Sequence, residues 1–222
     1  MPSNDLNKHL FLINKKIADT CETYKRNLLD VCLIAVSKTI SVEKITEAIL
    51  LGCKNFGENY IQEAKEKWHE IRKEFPQIKL HLIGHLQSNK TSEAVALFDS
   101  IHSLDSRKLA LLLKKEMTKQ SKNLEIFIQV NIGEESQKDG VLPGELSDFI
   151  RFTRNECGLN IAGLMCIPPS DEFSSPYFAL LAKLAYENDL KKLSMGMSGD
   201  FVEAVALGAT HVRIGRALWE RL

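Results

Sequence analysis

No stretch of this 222-residue chain is apolar for long enough to suggest a membrane span. The polar start, Met1-Pro2-Ser3-Asn4-Asp5-Leu6-Asn7-Lys8, lacks the apolar core of a secretory signal. Net charge is also missing: 29 Lys and Arg balance 29 Asp and Glu, which removes the electrostatic case for nucleic acid or an anionic membrane as partner. A ligand-sized basic pocket needs only two or three cations and stays open. Five cysteines (Cys21, Cys32, Cys53, Cys157, Cys166) are odd in number, scattered and without CxxC spacing. They read as small hydrophobes in a reducing cytoplasm. There is no G-x-G-x-x-G turn, linker, low-complexity run or internal repeat, and Pro168-Pro169 marks only a loop. One domain over 1–222 and a monomer are expected.

What is present is an alternation of short apolar runs with amphipathic stretches. Residues 6–29 predict one N-terminal helix, with Leu6, Leu10, Ile13, Ile17, Cys21, Tyr24 and Leu28 on its apolar face. Strands are predicted at Val31–Val36, Lys54–Phe56, Lys79–Ile83, Ser100–Ser103, Glu125–Asn131, Asn160–Cys166, Lys192–Met195 and His211–Ile214. Helices are predicted near 42–51, 59–75, 88–98, 106–120, 143–156, 174–189 and 199–208. Eight strand signals, each followed by helix or chain end, specify an α/β fold: a single (β/α)8 TIM-type barrel with an additional N-terminal helix. A doubly wound open sheet competes less well, because eight units are too many for a simple three-layer sandwich.

Candidate chemistry gathers where these strands end. Lys38 follows the apolar run Val31-Cys32-Leu33-Ile34-Ala35-Val36 and Ser37, at the carboxyl edge where such sheets place ligand sites. Taken alone it reads as a solvated loop lysine; a lysine so placed can also attack a carbonyl. The turn Leu193-Ser194-Met195-Gly196-Met197-Ser198-Gly199-Asp200 brings the backbone close to a ligand, with Ser198 at a helix start. In His211-Val212-Arg213-Ile214-Gly215-Arg216, alternation puts Arg213 opposite Val212 and Ile214, and Gly215 opens a last short helix. Loops after strands seven and eight are where barrels build phosphate sites. Strand eight closes against strand one at roughly 5 Å. A lysine amine, a phosphate cradle and a cation between them outline a pyridoxal phosphate site.

Two further segments, Phe56-Gly57-Glu58-Asn59-Tyr60 and His81 to Lys90, end at the same edge. Asn59 and His85 are candidate polar lining. His81 and His85 lie on a strand and a Gly turn without a third ligand at a telling distance, so no metal is assigned. Glu134, Glu135 and Lys138 read as a solvated loop.

Ala35-Val36-Ser37-Lys38-Thr39, Phe56 to Tyr60, His81 to Lys90, Gly163-Leu164-Met165-Cys166-Ile167-Pro168, Leu193 to Asp200 and Val212-Arg213-Ile214-Gly215 together resemble one family in order. It is that of the pyridoxal phosphate homeostasis proteins, relatives of the N-terminal barrel of alanine racemase. The motifs run from about residue 33 to 216. The resemblance implies a barrel that binds pyridoxal 5'-phosphate without established turnover and that buffers or supplies the cofactor, with apo-enzymes as recipients. It implies that Lys38 is the Schiff-base lysine, that Arg213 faces the pyridine nitrogen, and that Ser198 and Gly215 bind phosphate. Ser194, Met197, Arg216, Asn59 and His85 complete the expected cofactor contacts. Arg216 departs from the small hydroxyl residue expected after the Ile-Gly pair, and Leu80 stands where tryptophan is expected. Racemisation needs acid–base groups on both faces of the substrate adduct. The sequence ends at Leu222 without the second domain that supplies a racemase its tyrosine, so a weak racemase is the alternative and a carrier the favoured reading.

Overall fold

The computed structural model describes residues 4–220. Eight parallel strands close into one barrel in sequence order: β1 Cys32–Val36, β2 Asn55–Glu58, β3 Lys79–Leu82, β4 Ser100–Leu104, β5 Glu125–Val130, β6 Ile161–Cys166, β7 Lys192–Ser194 and β8 His211–Ile214. Around them, after α1 (Asn4–Thr23), run α2 Val42–Leu50, α3 Ile61–Glu74, α4 Thr91–Leu97, α5 Arg107–Lys119, α6 Leu146–Arg151, α7 Ser174–Glu187, α8 Phe201–Ala206 and α9 Arg216–Trp219. The (β/α)8 barrel with an added N-terminal helix is therefore the fold. Among the described residues no helix is long and apolar enough to cross a membrane.

The stabilising logic is two-layered. Strand residues facing outward, such as Ala35, Phe56, Leu80, Leu82, Val212 and Ile214, are buried under the apolar stripes of the helices. On α3, Ile61, Ala64, Trp68 and Ile71 form the predicted stripe, and the Trp68 ring lies 5.0 Å from Phe56. Leu80, where a tryptophan was expected, is fully buried in that layer. At about 25 cal/mol per Å² of apolar surface, this layer is the main source of stability. The barrel interior is more polar, holding His81, His102, Ser194, His211 and Arg213, all buried.

Two expectations need correction. The N-terminal helix stops at Thr23; Lys25 takes a left-handed φ of 53°, Arg26 N–H bonds back to Cys21 C=O at 2.8 Å, and Leu28–Asp30 is a separate 3-10 turn. Cys21 is thus the last residue of the buried stripe, while Tyr24 and Leu28 are exposed. The periodicity continued by chance into a turn. The helix packs on α8 and α9, and Arg26 reaches across to the carbonyls of Val205 and Ala209. Residues 143–156 are helical throughout, as expected, but the pitch is not uniform: the run opens as a 3-10 turn at Pro143–Glu145, continues as α6 and closes as a π-helical turn at Phe152–Glu156. Cys21, Cys53, Cys157 and Cys166 are buried and Cys32 half-buried; all five are free. Burial pushes the Cys166 thiol up to about 12, which suits a packing role.

Candidate functional site

Strand pairing decides which residues meet at the carboxyl edge. β1 pairs with β8 so that Ile34 stands opposite Arg213 and Ala35 opposite Ile214. Ile34 faces the barrel interior, since a Cβ built on Gly57 of β2 would lie 2.9 Å from its Cγ2. Val36 shares that inward sense, and Lys38 follows in the turn after the strand. Lys38 is exposed at the mouth, directly after buried Ser37. Gly215 flanks Val36: a Cβ added there would meet only the Val36 side chain, at 3.7 Å. The β1–β8 pairing thus puts the turn that carries Lys38 next to the strand of Arg213 and to Gly215.

The loops after β7 and β8 join in that corner. Ser198 Oγ accepts a hydrogen bond from Ala217 N–H at 3.2 Å. Among the described residues, the N–H groups of Ser198, Gly199 and Gly215 donate to no protein acceptor. Free donors and a hydroxyl in neighbouring loops suit an anion. Asp200 is occupied elsewhere, accepting from Met197 N–H at 2.6 Å and Ser174 Oγ at 2.8 Å. Gly196, at φ +91°, lets this loop lie on α8: a Cβ would fall 2.5 Å from that of Ala204. Met197 and Arg216 are exposed on the rim.

Arg213 is set deeper. Its Nη1 donates to Ser194 Oγ at 2.8 Å and its Nη2 to Cys166 C=O at 2.9 Å, with 4% of the residue exposed. Burial lowers its pKa from the ordinary value, yet a guanidinium keeps its charge in a protein. Behind it runs a buried file that the sequence reading missed. His102 Nδ1 lies 2.8 Å from Ser194 Oγ, His81 Nδ1 3.0 Å from His102 Nε2, and His81 Nε2 3.2 Å from Asn55 Oδ1. Arginine only donates, so Ser194 accepts from it and passes its own proton to His102. Each histidine then carries its proton on Nε2 and donates toward Asn55, with every atom satisfied by neutral rings. Burial, then the neighbouring charges of His211, Lys192 and Lys79, lowers the His81 pKa to about 3. His102 is held well below its ordinary value, by burial first and then His81. Polar residues at inward positions of apolar strands were the available signal for this file.

The remaining candidates follow β2 and β3. Asn59 is half-buried beside Gly84, where a Cβ would fall 2.4 Å from Asn59 C=O. His85 is exposed, with Nδ1 3.0 Å from Asp139 Oδ2 and 3.7 Å from Asp105 Oδ2. It borders the β4–β5 side of the edge, where a cavity of about 570 Å³ is lined by Asp105, Arg107 and Gly140. His81 and His85 do not come together, because His81 points into the barrel. In the 134–138 loop Glu134 is exposed, as expected, while half-buried Glu135 pairs with Lys138 at 2.5 Å and Lys138 reaches Pro168 C=O at 3.2 Å.

Comparison with known proteins identifies the family and the fold. The family model described as alanine racemase, N-terminal domain, matches residues 14–220. A protein of Pasteurella multocida named pyridoxal phosphate homeostasis protein is 35% identical over 224 residues, 96% of each chain. The Escherichia coli K12 protein of that name is 34% identical over 97% of this chain and 96% of its own. The structure of PipY from Synechococcus elongatus with PLP bound superposes with a TM-score of 0.79 at 34% identity, covering 91% of this chain and 99% of that one. An alanine racemase of Clostridium difficile, at 13% identity and TM-score 0.73, shares the fold over 57% of its length.

Proposed function

The chain belongs to the family of pyridoxal phosphate homeostasis proteins, built on the alanine racemase N-terminal domain, and from that premise we propose that it binds pyridoxal 5'-phosphate and holds it reversibly for supply to other proteins. The observation that carries this reading is the β1–β8 pairing, which gathers Lys38, Arg213 and Gly215 at one corner. The corner fits the group: the free N–H donors of Ser198, Gly199 and Gly215 match a phosphate, and exposed Lys38 matches an aldehyde. When bound, the cofactor supplies an electrophilic aldehyde and an electron-withdrawing ring.

The residues divide the work. Lys38 would supply the primary amine that holds the cofactor's aldehyde. Ser198 Oγ and the loop N–H groups hold the phosphate. Arg213, fixed by Ser194 and Cys166, would offer the bound cofactor a permanent cation, and a ring nitrogen beside it would be disfavoured from taking a proton. That arrangement weakens the ring as an electron sink and suits storage better than turnover. Met197 and Arg216 stand at the rim; Asn59 lines the edge beyond β2, next to the Lys38 strand, and His85 the edge beyond β3. Apo-enzymes that use the same cofactor are the recipients on this reading.

Spectral titration of the wild-type and Lys38→Ala proteins with pyridoxal 5'-phosphate tests the proposal. A visible chromophore in the wild type alone, followed by activation of an added apo-enzyme, is expected. No chromophore in the wild type sinks the assignment. Rapid Lys38-dependent isotope exchange at the α-carbon of added amino acids sinks the storage role in favour of racemase chemistry.

A further inference from the structure

The turn that carries Lys38 is fastened on both sides, and the fastenings meet. Before it, Ser37 N–H continues the ladder to Gly57 C=O at 2.9 Å and Ser37 Oγ donates to Glu58 Oε1 at 2.8 Å. Ser37 C=O accepts from Lys67 Nζ at 2.6 Å. After it, Thr39 N–H donates to Glu63 Oε1 at 2.5 Å. Lys67 closes the loop, 2.8 Å from both Glu58 and Glu63, and Trp68 Nε1 donates to Glu58 Oε1 at 2.9 Å.

This assembly is a costly way to hold a turn. Glu58 is fully buried and, among the described residues, its Oε2 has no hydrogen-bond partner. A buried ion pair roughly breaks even at best against apolar packing. Thr39, a β-branched residue, sits at φ 61°, a region such residues avoid. Unfavourable backbone next to an exposed reactive residue persists only where its surroundings enforce it. Here Glu63 enforces it through the Thr39 N–H, and Lys67 through the Ser37 carbonyl.

We infer that Glu63 and Lys67 of α3 are positioning residues for the Lys38 amine, holding the Ser37–Thr39 turn so that Lys38 meets the aldehyde. The inference rests on the Schiff-base reading above. Without Glu63, Thr39 relaxes toward an ordinary extended conformation, the 38–39 peptide rotates, and the Lys38 side chain leaves its line. The phosphate loops, built from β7 and β8, do not depend on this turn. Covalent attachment and noncovalent binding therefore separate.

The full-length wild-type, Glu63→Ala, Glu63→Gln and Glu63→Ala/Thr39→Gly proteins are equilibrated with pyridoxal 5'-phosphate. Equilibrium dialysis gives total bound cofactor; borohydride reduction and mass analysis of the Lys38 peptide give the covalent share. Glu63→Ala is expected to lower the covalent-to-noncovalent ratio about tenfold, the worth of one charge-assisted hydrogen bond. Glu63→Gln, whose amide oxygen still accepts from Thr39 N–H, falls between. Thr39→Gly restores the ratio, because glycine takes φ > 0 without strain. An unchanged ratio in Glu63→Ala overturns the inference, as does parallel loss of both forms with falling thermal midpoint. Absence of covalent cofactor in the wild type instead overturns the underlying functional reading and this inference with it.

Discussion

Arg213 Nη1 donates to Ser194 Oγ at 2.8 Å, and this one contact couples the cofactor corner to the interior of the barrel. The Ser194 hydroxyl stands between a fixed cation and a file of neutral imidazoles reaching Asn55. Ser194→Ala removes the acceptor of Arg213 and the donor to His102 together. Leaving buried polar atoms unpaired costs about 1–3 kcal/mol. Urea unfolding of the apo protein measures it, and a Ser194→Ala protein as stable as wild type would show that the file is not continuous.

The same burial makes stability depend on pH in a window that opens at the ordinary histidine value and extends down to about 3. His81 is lowered to about 3 and His211 to about 4, both chiefly by desolvation. Unfolding returns each to about 6.5, so between these values the unfolded chain binds more protons. Their contribution is complete above pH 6.5 and is lost as pH falls, through about 4 for His211 and about 3 for His81. At pH 5 each group accounts for about 2 kcal/mol, from about 1.4 kcal/mol per pH unit. The expected outcome is a free energy of unfolding that begins to decline near pH 6.5. A flat profile down to pH 5 would mean that these rings are protonated in the folded protein.

The barrel was legible because its signals are local. Each strand is a short apolar run, each helix an apolar stripe, and their alternation leaves few topologies. Lys38, Ser198, Arg213 and Gly215 were legible as strand-end residues. His102 and Glu63 were not, because their meaning depends on cross-barrel and cross-layer distances that one chain position does not carry. Tyr24 failed for the opposite reason: the helical period ran on into a turn set by Lys25 and the Cys21 carbonyl.

The Glu58–Lys67 pair, at 2.8 Å, gives a stability prediction separate from cofactor chemistry. Lys67→Met leaves the Glu58 carboxylate buried without its cation, a change of about 3–5 kcal/mol. Adding Glu58→Gln removes the orphaned charge and recovers a large part of that loss. A double-mutant cycle by chemical unfolding reads the coupling. Purely additive losses would show that the two side chains do not interact in solution.

Arg216 offers the sharpest test of what sets release. The family resemblance expects a small hydroxyl residue after Gly215, and here an exposed arginine occupies the first position of α9. Its backbone remains beside the free N–H of Gly215, so the phosphate loses one side-chain hydroxyl bond and keeps the loop donors. A charge-assisted hydrogen bond is worth about 1–2 kcal/mol net, or about tenfold in a rate. Arg216→Thr is therefore expected to slow pyridoxal 5'-phosphate dissociation three- to tenfold, measured by trapping released cofactor with excess apo-enzyme. Faster release from Arg216→Thr would give the opposite assignment, with the guanidinium itself retaining the phosphate. Raising ionic strength separates the two, since a rim charge is screened beyond about 10 Å at 0.1 M salt while a short hydroxyl bond is not.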